Sequence, residues 1–69
     1  MTKVGQRYRY KSSSPVYSFV AEITKVLTED AYFNVKVVSC GPQSAITVGQ
    51  TFEQQPIGNW EYLPGQDAP

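Results

Sequence analysis

Val16-Tyr17-Ser18-Phe19-Val20-Ala21-Glu22-Ile23-Thr24-Lys25-Val26-Leu27 reads two ways, and the choice decides the fold. As a strand, it puts Tyr17, Phe19, Ala21 and Ile23 on one face and Ser18, Val20, Glu22 and Thr24 on the other. As a helix, it makes a stripe of Val16, Phe19, Val20, Ile23 and Leu27, with Ser14-Pro15 suited to the N-cap and first helical position. Composition favours the strand. Val16, Val20, Ile23, Thr24, Val26 and Thr28 are β-branched and lose χ1 freedom in a helix. No acid stands in the would-be first turn. The alternation slips after Ile23, where Lys25 falls on the apolar face, so a bulge or strong bend is expected at Thr24-Lys25.

Working outward, Thr28-Glu29-Asp30-Ala31 is a polar turn. Residues 32–40 form the clearest strand, with Phe33, Val35 and Val37 on one side and Asn34 and Lys36 on the other. Residues 16–40 therefore make one long antiparallel hairpin. Before it, Arg7-Tyr8-Arg9-Tyr10-Lys11 alternates strictly, and Ser12-Ser13-Ser14-Pro15 breaks the pattern as a loop does. After it, Gly41-Pro42-Gln43 ends the hairpin, and residues 45–48 read as a short strand. Gly49-Gln50 turns the chain, Thr51-Phe52-Glu53 resumes pairing, and residues 54–58 read as a loop. Residues 59–63 are a last short strand with Trp60 and Tyr62 on one side. Val4-Gly5-Gln6-Arg7-Tyr8 and Val48-Gly49-Gln50-Thr51-Phe52 share the pattern Val-Gly-Gln-x-aromatic. That pattern reads as one turn solution used twice: a glycine for the backbone shape, then an aromatic that drops into the core.

About five short strands in 69 residues predict an all-β fold, a small five-stranded, partly open barrel. The pattern is similar to SH3-like small barrels. The alternative is an α+β arrangement with residues 15–28 helical against an antiparallel sheet. Residues 1–63 are expected to form a single domain and residues 64–69, Pro64-Gly65-Gln66-Asp67-Ala68-Pro69, a flexible tail. A chain this short buries only roughly 60% of its unfolded surface and needs support from a packed aromatic core or from self-association. Nine aromatic residues favour the first. Cys40, the single cysteine, cannot form an internal disulfide, and one unpaired thiol fits a reducing cytoplasm. The start of the chain has no apolar segment of the secretory kind. No apolar run approaches the ~20 residues that cross a bilayer.

The chain contains no histidine, no nucleophile paired with a base, no Gly-rich phosphate loop and no metal-ligand cluster. It is therefore read as non-enzymatic, with no cofactor and no metal. Glu29-Asp30 sit in a solvated turn. Glu22 and Glu53 lie on separate strands, and nothing in the sequence brings them together.

Two binding readings remain. Trp60, Tyr62 and Phe52 are the candidates for protein contacts, since exposed tryptophan and tyrosine are enriched in interfaces; SH3-like domains receive Pro-rich ligands on an aromatic groove. The protein partner itself is unknown. A homo-oligomer is expected through residues 45–53, which carry no charge until Glu53. The alternative is nucleic acid, held by Lys3, Arg7, Arg9 and Lys11. Residues 1–21 carry those four cations and no acid, whereas the remainder carries a compensating excess of acids, so the net charge is zero. Strand alternation counts against the simple version, because the tyrosines and the cations of the first strand face opposite ways. The leading expectation is a small cytoplasmic interaction module, similar in size and style to accessory proteins of phages and mobile elements.

Overall fold

Ser18 is where the ambiguity of residues 16–27 resolves. The computed structural model describes residues 2–68; Met1 and Pro69, the outer ends of the expected domain and tail, lie outside the described residues. Within residues 15–28 only Pro15–Tyr17 form a turn of 3-10 helix, started by the Ser14 hydroxyl accepting from Val16 N at 3.3 Å. Phe19–Thr28 is then a ten-residue strand. The helical alternative is thus replaced by strand: the serine-proline signal starts a helix that the β-branched run does not continue.

The described strands are β1 (Arg7–Tyr10), β2 (Phe19–Thr28), β3 (Tyr32–Cys40), β4 (Thr51–Pro56) and β5 (Trp60–Tyr62), with a second 3-10 turn at Ile57–Asn59. All pair antiparallel in one sheet ordered β4-β3-β2-β1-β5. The sheet is all-β and open, with β4 and β5 at its edges. Its inner face carries Tyr8, Phe19, Ala21, Ile23, Phe33, Val35, Val37 and Trp60, which together form the core. Of the three register shifts between β2 and β3, one falls where alternation breaks. Ile23 pairs with Val35 and Lys25 with Asn34, leaving Thr24 as the extra residue. That rotation sends Lys25 outward and returns Val26 to pack against the core.

Two expected boundaries change. Residues 45–48 are not a strand: all of residues 41–50 form an irregular loop. There the Ser44 hydroxyl accepts from Ile46 N at 3.1 Å, and Ala45 N donates to Val16 O at 2.9 Å. Such local bonding gives the backbone an alternative to a ladder. Residues 54–56 are not loop but the second half of β4. Pairing resumes there because Glu53 and Gln54 bulge out between the Phe52–Val35 and Gln55–Phe33 pairs. Gln54 takes a left-handed φ of 54°, and its N–H donates to Asn34 Oδ1 at 2.9 Å.

The two Val-Gly-Gln copies adopt the same turn, bond for bond. Gly5 has φ +96° and Gly49 φ +94°, the positive φ a type II turn requires at its third residue. Gln6 N donates to Lys3 O at 3.3 Å and Gln50 N to Thr47 O at 3.2 Å. Each glutamine side chain also folds back, with Oε1 accepting from Lys3 N at 3.0 Å and from Thr47 N at 3.3 Å. Each turn then clamps one buried residue of the central hairpin. Gly5 N donates to Ile23 O at 3.0 Å and Ile23 N to Gln6 O at 2.9 Å; Gly49 N donates to Val37 O at 2.9 Å and Val37 N to Gln50 O at 2.8 Å. The aromatic two residues on, Tyr8 or Phe52, turns toward the core.

Residues close to both ends of the described chain bond back to its body. Thr2 N donates to Asp30 Oδ1 at 3.0 Å and Asp30 N to Thr2 Oγ1 at 2.8 Å. Ala68 N donates to Gly5 O at 2.8 Å, and the Tyr62 hydroxyl to Asp67 at 3.2 Å.

Candidate functional site: an aromatic groove

One end of the sheet collects aromatic residues from five different segments. Tyr10 closes β1, Tyr17 closes the first 3-10 turn, Phe19 opens β2, Phe52 lies in β4 and Trp60 opens β5. The Tyr10–Trp60 register of β1 and β5 sets their rings edge to face, with centroids 5.2 Å apart. Tyr10 and Phe19 stack at 5.7 Å, Phe19 and Trp60 meet edge to face at 5.6 Å, and Phe52 stacks on Phe19 at 5.8 Å. Tyr17 stands over Tyr10 at 6.3 Å. With Ile46 and Gln55 these rings line an open groove of about 350 Å³. That volume lies within the ~300–1,000 Å³ of typical binding clefts.

The walls are held in place. Gly41 N donates to Ser18 O at 2.8 Å, and both Ala45 N and the Ser44 hydroxyl donate to Val16 O, tying the loop of residues 41–50 to the Tyr17 turn. The lining carries no formal charge. Trp60 is only 3% exposed, so its mass is core. Its indole N–H is buried without a partner among the described residues, in a protein where such donors are normally paired.

Of the residues read from sequence as protein contacts, the structure puts Trp60 and Phe52 together in this groove. Tyr62 lies further along β5, its ring tilted against Tyr8 with centroids 5.4 Å apart. Tyr10, Tyr17, Phe19, Ile46 and Gln55 were not singled out. Tyr10 and Phe19 read as ordinary core, and the turn that brings Tyr17 beside them has no long-range sequence signature. Residues 45–53, expected as a pairing edge, contribute Ile46 and Phe52 to the groove, while Val48 stays 65% exposed.

The four basic residues lie elsewhere. Arg7 and Arg9 face the outer side of the sheet, each opposite an acid. Arg7 is in register with Glu22, and both Nε and Nη2 donate to Glu22 Oε1 at 3.3 Å. Arg9 is in register with Glu61 and donates from Nη2 at 2.6 Å and from Nε at 3.2 Å. The Arg9 hydrogen bond, then its charge, holds the Glu61 carboxyl below its ordinary range. Glu22 also pairs across β3 with Lys36, so cation and acid alternate over this face. Lys3 and Lys11 make no ion pair among the described residues. Tyr8, between the arginines in sequence, points inward, and burial raises its hydroxyl pKa.

Among the described residues no cluster of His, Cys, Asp or Glu could hold a metal ion. No helix there is long and apolar enough to cross a membrane. Comparison with protein-family models, curated proteins and solved structures finds no match to this chain.

Proposed function

We propose that this chain is a non-enzymatic protein-interaction module, built as an SH3-like small barrel and working through the aromatic groove. The observation that carries the reading is that groove: five aromatic rings from five segments around an uncharged cleft. Aromatic anchors in a well-packed pocket, with an unpaired donor behind them, are what hot spots of protein interfaces are made of. A partner would bring apolar side chains for the rings and carbonyl oxygens for the amide and hydroxyls of the rim, since Gln55, Tyr10 and Tyr17 all carry donors. A cytoplasmic setting accompanies this reading because Cys40 is unpaired.

Nucleic acid is the weaker alternative. Arg7 and Arg9 are already spent on Glu22 and Glu61, and a phosphate would have to displace a carboxylate at each.

The test is capture from lysate, with and without nuclease, by three forms of the chain. Proteins recovered by the wild type and by Arg7→Glu/Arg9→Glu, but lost with Tyr17→Ser, support the groove. Tyr17 is 48% exposed, so its replacement leaves the core intact. Recovery that collapses on nuclease treatment and on charge reversal overturns the reading in favour of nucleic acid.

A further inference from the structure

Resting on the groove as an interaction surface, we infer that the side chain its partner inserts there is an arginine, with its stem against the rings and its guanidinium on the oxygens of Gln55, Tyr10 and Tyr17.

The groove favours positive charge although its lining carries no formal charge of either sign. An aromatic ring is electronegative on its faces, and a cation within about 6 Å of a ring centroid is held by that face. Phe19 and Trp60 are buried, so the rings open to a guest are those of Tyr10, Tyr17 and Phe52. No lysine or arginine of the chain lines the groove, and Arg7 and Arg9 are held on the outer face by Glu22 and Glu61. The polar atoms of the lining add to the effect. Gln55 spends an amide hydrogen on its own chain, Nε2 donating to Glu53 O at 3.1 Å. Its Oε1 accepts from no described residue, and neither do the hydroxyl oxygens of Tyr10 and Tyr17. Three acceptor oxygens therefore stand beside three ring faces.

An apolar guest would cover those oxygens without bonding them, and a buried acceptor left unpaired costs its full desolvation. An anion would meet ring faces and acceptors of its own sign. An arginine suits both groups. Its guanidinium is planar, weakly hydrated and always charged, so it stacks on a ring while its five N–H donors reach sideways to the oxygens. Its methylene stem covers apolar surface such as Ile46, and its backbone carbonyls accept from the donors of the rim. A lysine ammonium is more strongly hydrated and cannot stack, which decides between the two cations.

The probes are N-acetylarginine amide, its neutral isostere N-acetylcitrulline amide and the apolar N-acetylleucine amide, each titrated into the full chain at low salt. Binding is read by nuclear magnetic resonance from the indole N–H of Trp60, the single tryptophan, and from the side-chain amide of Gln55. The arginine compound should bind at least about fivefold more tightly than either neutral one, the worth of one cation–ring contact. Tyr17→Leu keeps an apolar wall but removes a ring and a hydroxyl, and should weaken arginine binding at least about threefold. Gln55→Glu sets a formal negative charge beside the rings. It should tighten arginine binding at least about threefold and leave citrulline unchanged. Equal binding of the arginine and citrulline compounds, or a Gln55→Glu chain no better than wild type, overturns the inference. If the leucine compound is preferred and is lost with Tyr17→Ser, the arginine anchor falls and the groove reading stands with an apolar one. If no probe moves the groove signals, the arginine anchor falls, and lysate capture through Tyr17 decides the groove reading separately.

Discussion

Replacing Gly49 with alanine should destabilise the fold by about 1 kcal/mol, and replacing Gly5 should do the same. The two residues have nearly equal φ, +94° and +96°, in turns with the same hydrogen bonds. A Cβ on Gly49 would meet nothing within 4 Å, and one on Gly5 only the Ala68 Cβ at 3.8 Å, an ordinary contact. The cost is therefore backbone strain alone. A left-handed conformation costs an L-residue about 1–2 kcal/mol, and alanine returns about 0.4–1 kcal/mol by restricting the unfolded chain. The difference, about 1 kcal/mol, corresponds to about 4–8 °C in Tm for a domain this small. Thermal and urea unfolding followed by circular dichroism will measure it. D-alanine at the same positions, introduced by chemical synthesis, prefers positive φ and should match or exceed glycine. A neutral L-alanine variant, or D-alanine as harmful as L-alanine, would refute the reasoning, because a steric or packing origin has no reason to invert with chirality.

Gln54→Gly should raise the urea midpoint, because it relieves a left-handed non-glycine residue, while Gln54→Val should lose about 1 kcal/mol or more, since β-branched residues tolerate that region worst. Phe33→Ala empties a fully buried site packed against the tilted ring of Tyr8. At about 3–5 kcal/mol against a total of roughly 3–10 kcal/mol for a chain of this length, the variant should be largely unfolded or lose most of its Tm by near-ultraviolet circular dichroism. Glu61→Gln addresses pH. The folded carboxyl sits below its ordinary range because of Arg9, so its stabilisation is present above the unfolded value near 4.3–4.5 and is lost as pH falls through the depressed folded one. Wild type should lose more stability than Glu61→Gln between about pH 5 and pH 3, and 0.5 M salt should shrink the difference because the pair is exposed.

Strand identity was legible where a side chain's neighbours in sequence decide its fate. Strict alternation in residues 32–40 reads directly as β3, and the slip at Lys25 reads directly as a bulge, because a charge cannot stay on the core face. The bulge in β4 was not legible. Glu53-Gln54-Gln55 is polar throughout, so no pattern is violated when Gln54 swings out. The acceptor that makes the swing affordable, Asn34 Oδ1, is twenty residues away. The false strand at residues 45–48 has the same origin: Ala45-Ile46-Thr47-Val48 alternates well enough, but Ser44 and the carbonyl of Val16 offer the backbone better-placed partners. The groove was half legible. Trp60 and Phe52 stand out by residue type, whereas Tyr10, Tyr17 and Phe19 become a site only through the register that gathers them.

Register also explains what became of the charge imbalance between the two parts of the chain. Read linearly, the cations of residues 1–21 suggest a basic face. In the sheet, β1 lies between β2 and β5, so each arginine gains a neighbour from the acidic part: Arg7 gains Glu22 and Arg9 gains Glu61. Strand pairing thus gives two of the four cations of residues 1–21 an acidic partner, while Lys3 and Lys11 make no ion pair among the described residues. The left-handed Gln54 and Pro56 of β4 and the three-residue length of β5 leave little edge backbone for strand addition. The neutral aromatic end carries a buried donor at Trp60 without a partner among the described residues and an exposed aromatic side chain at Tyr17. On the groove reading proposed above, charge reversal on the outer face should weaken binding far less than loss of a single ring at the groove.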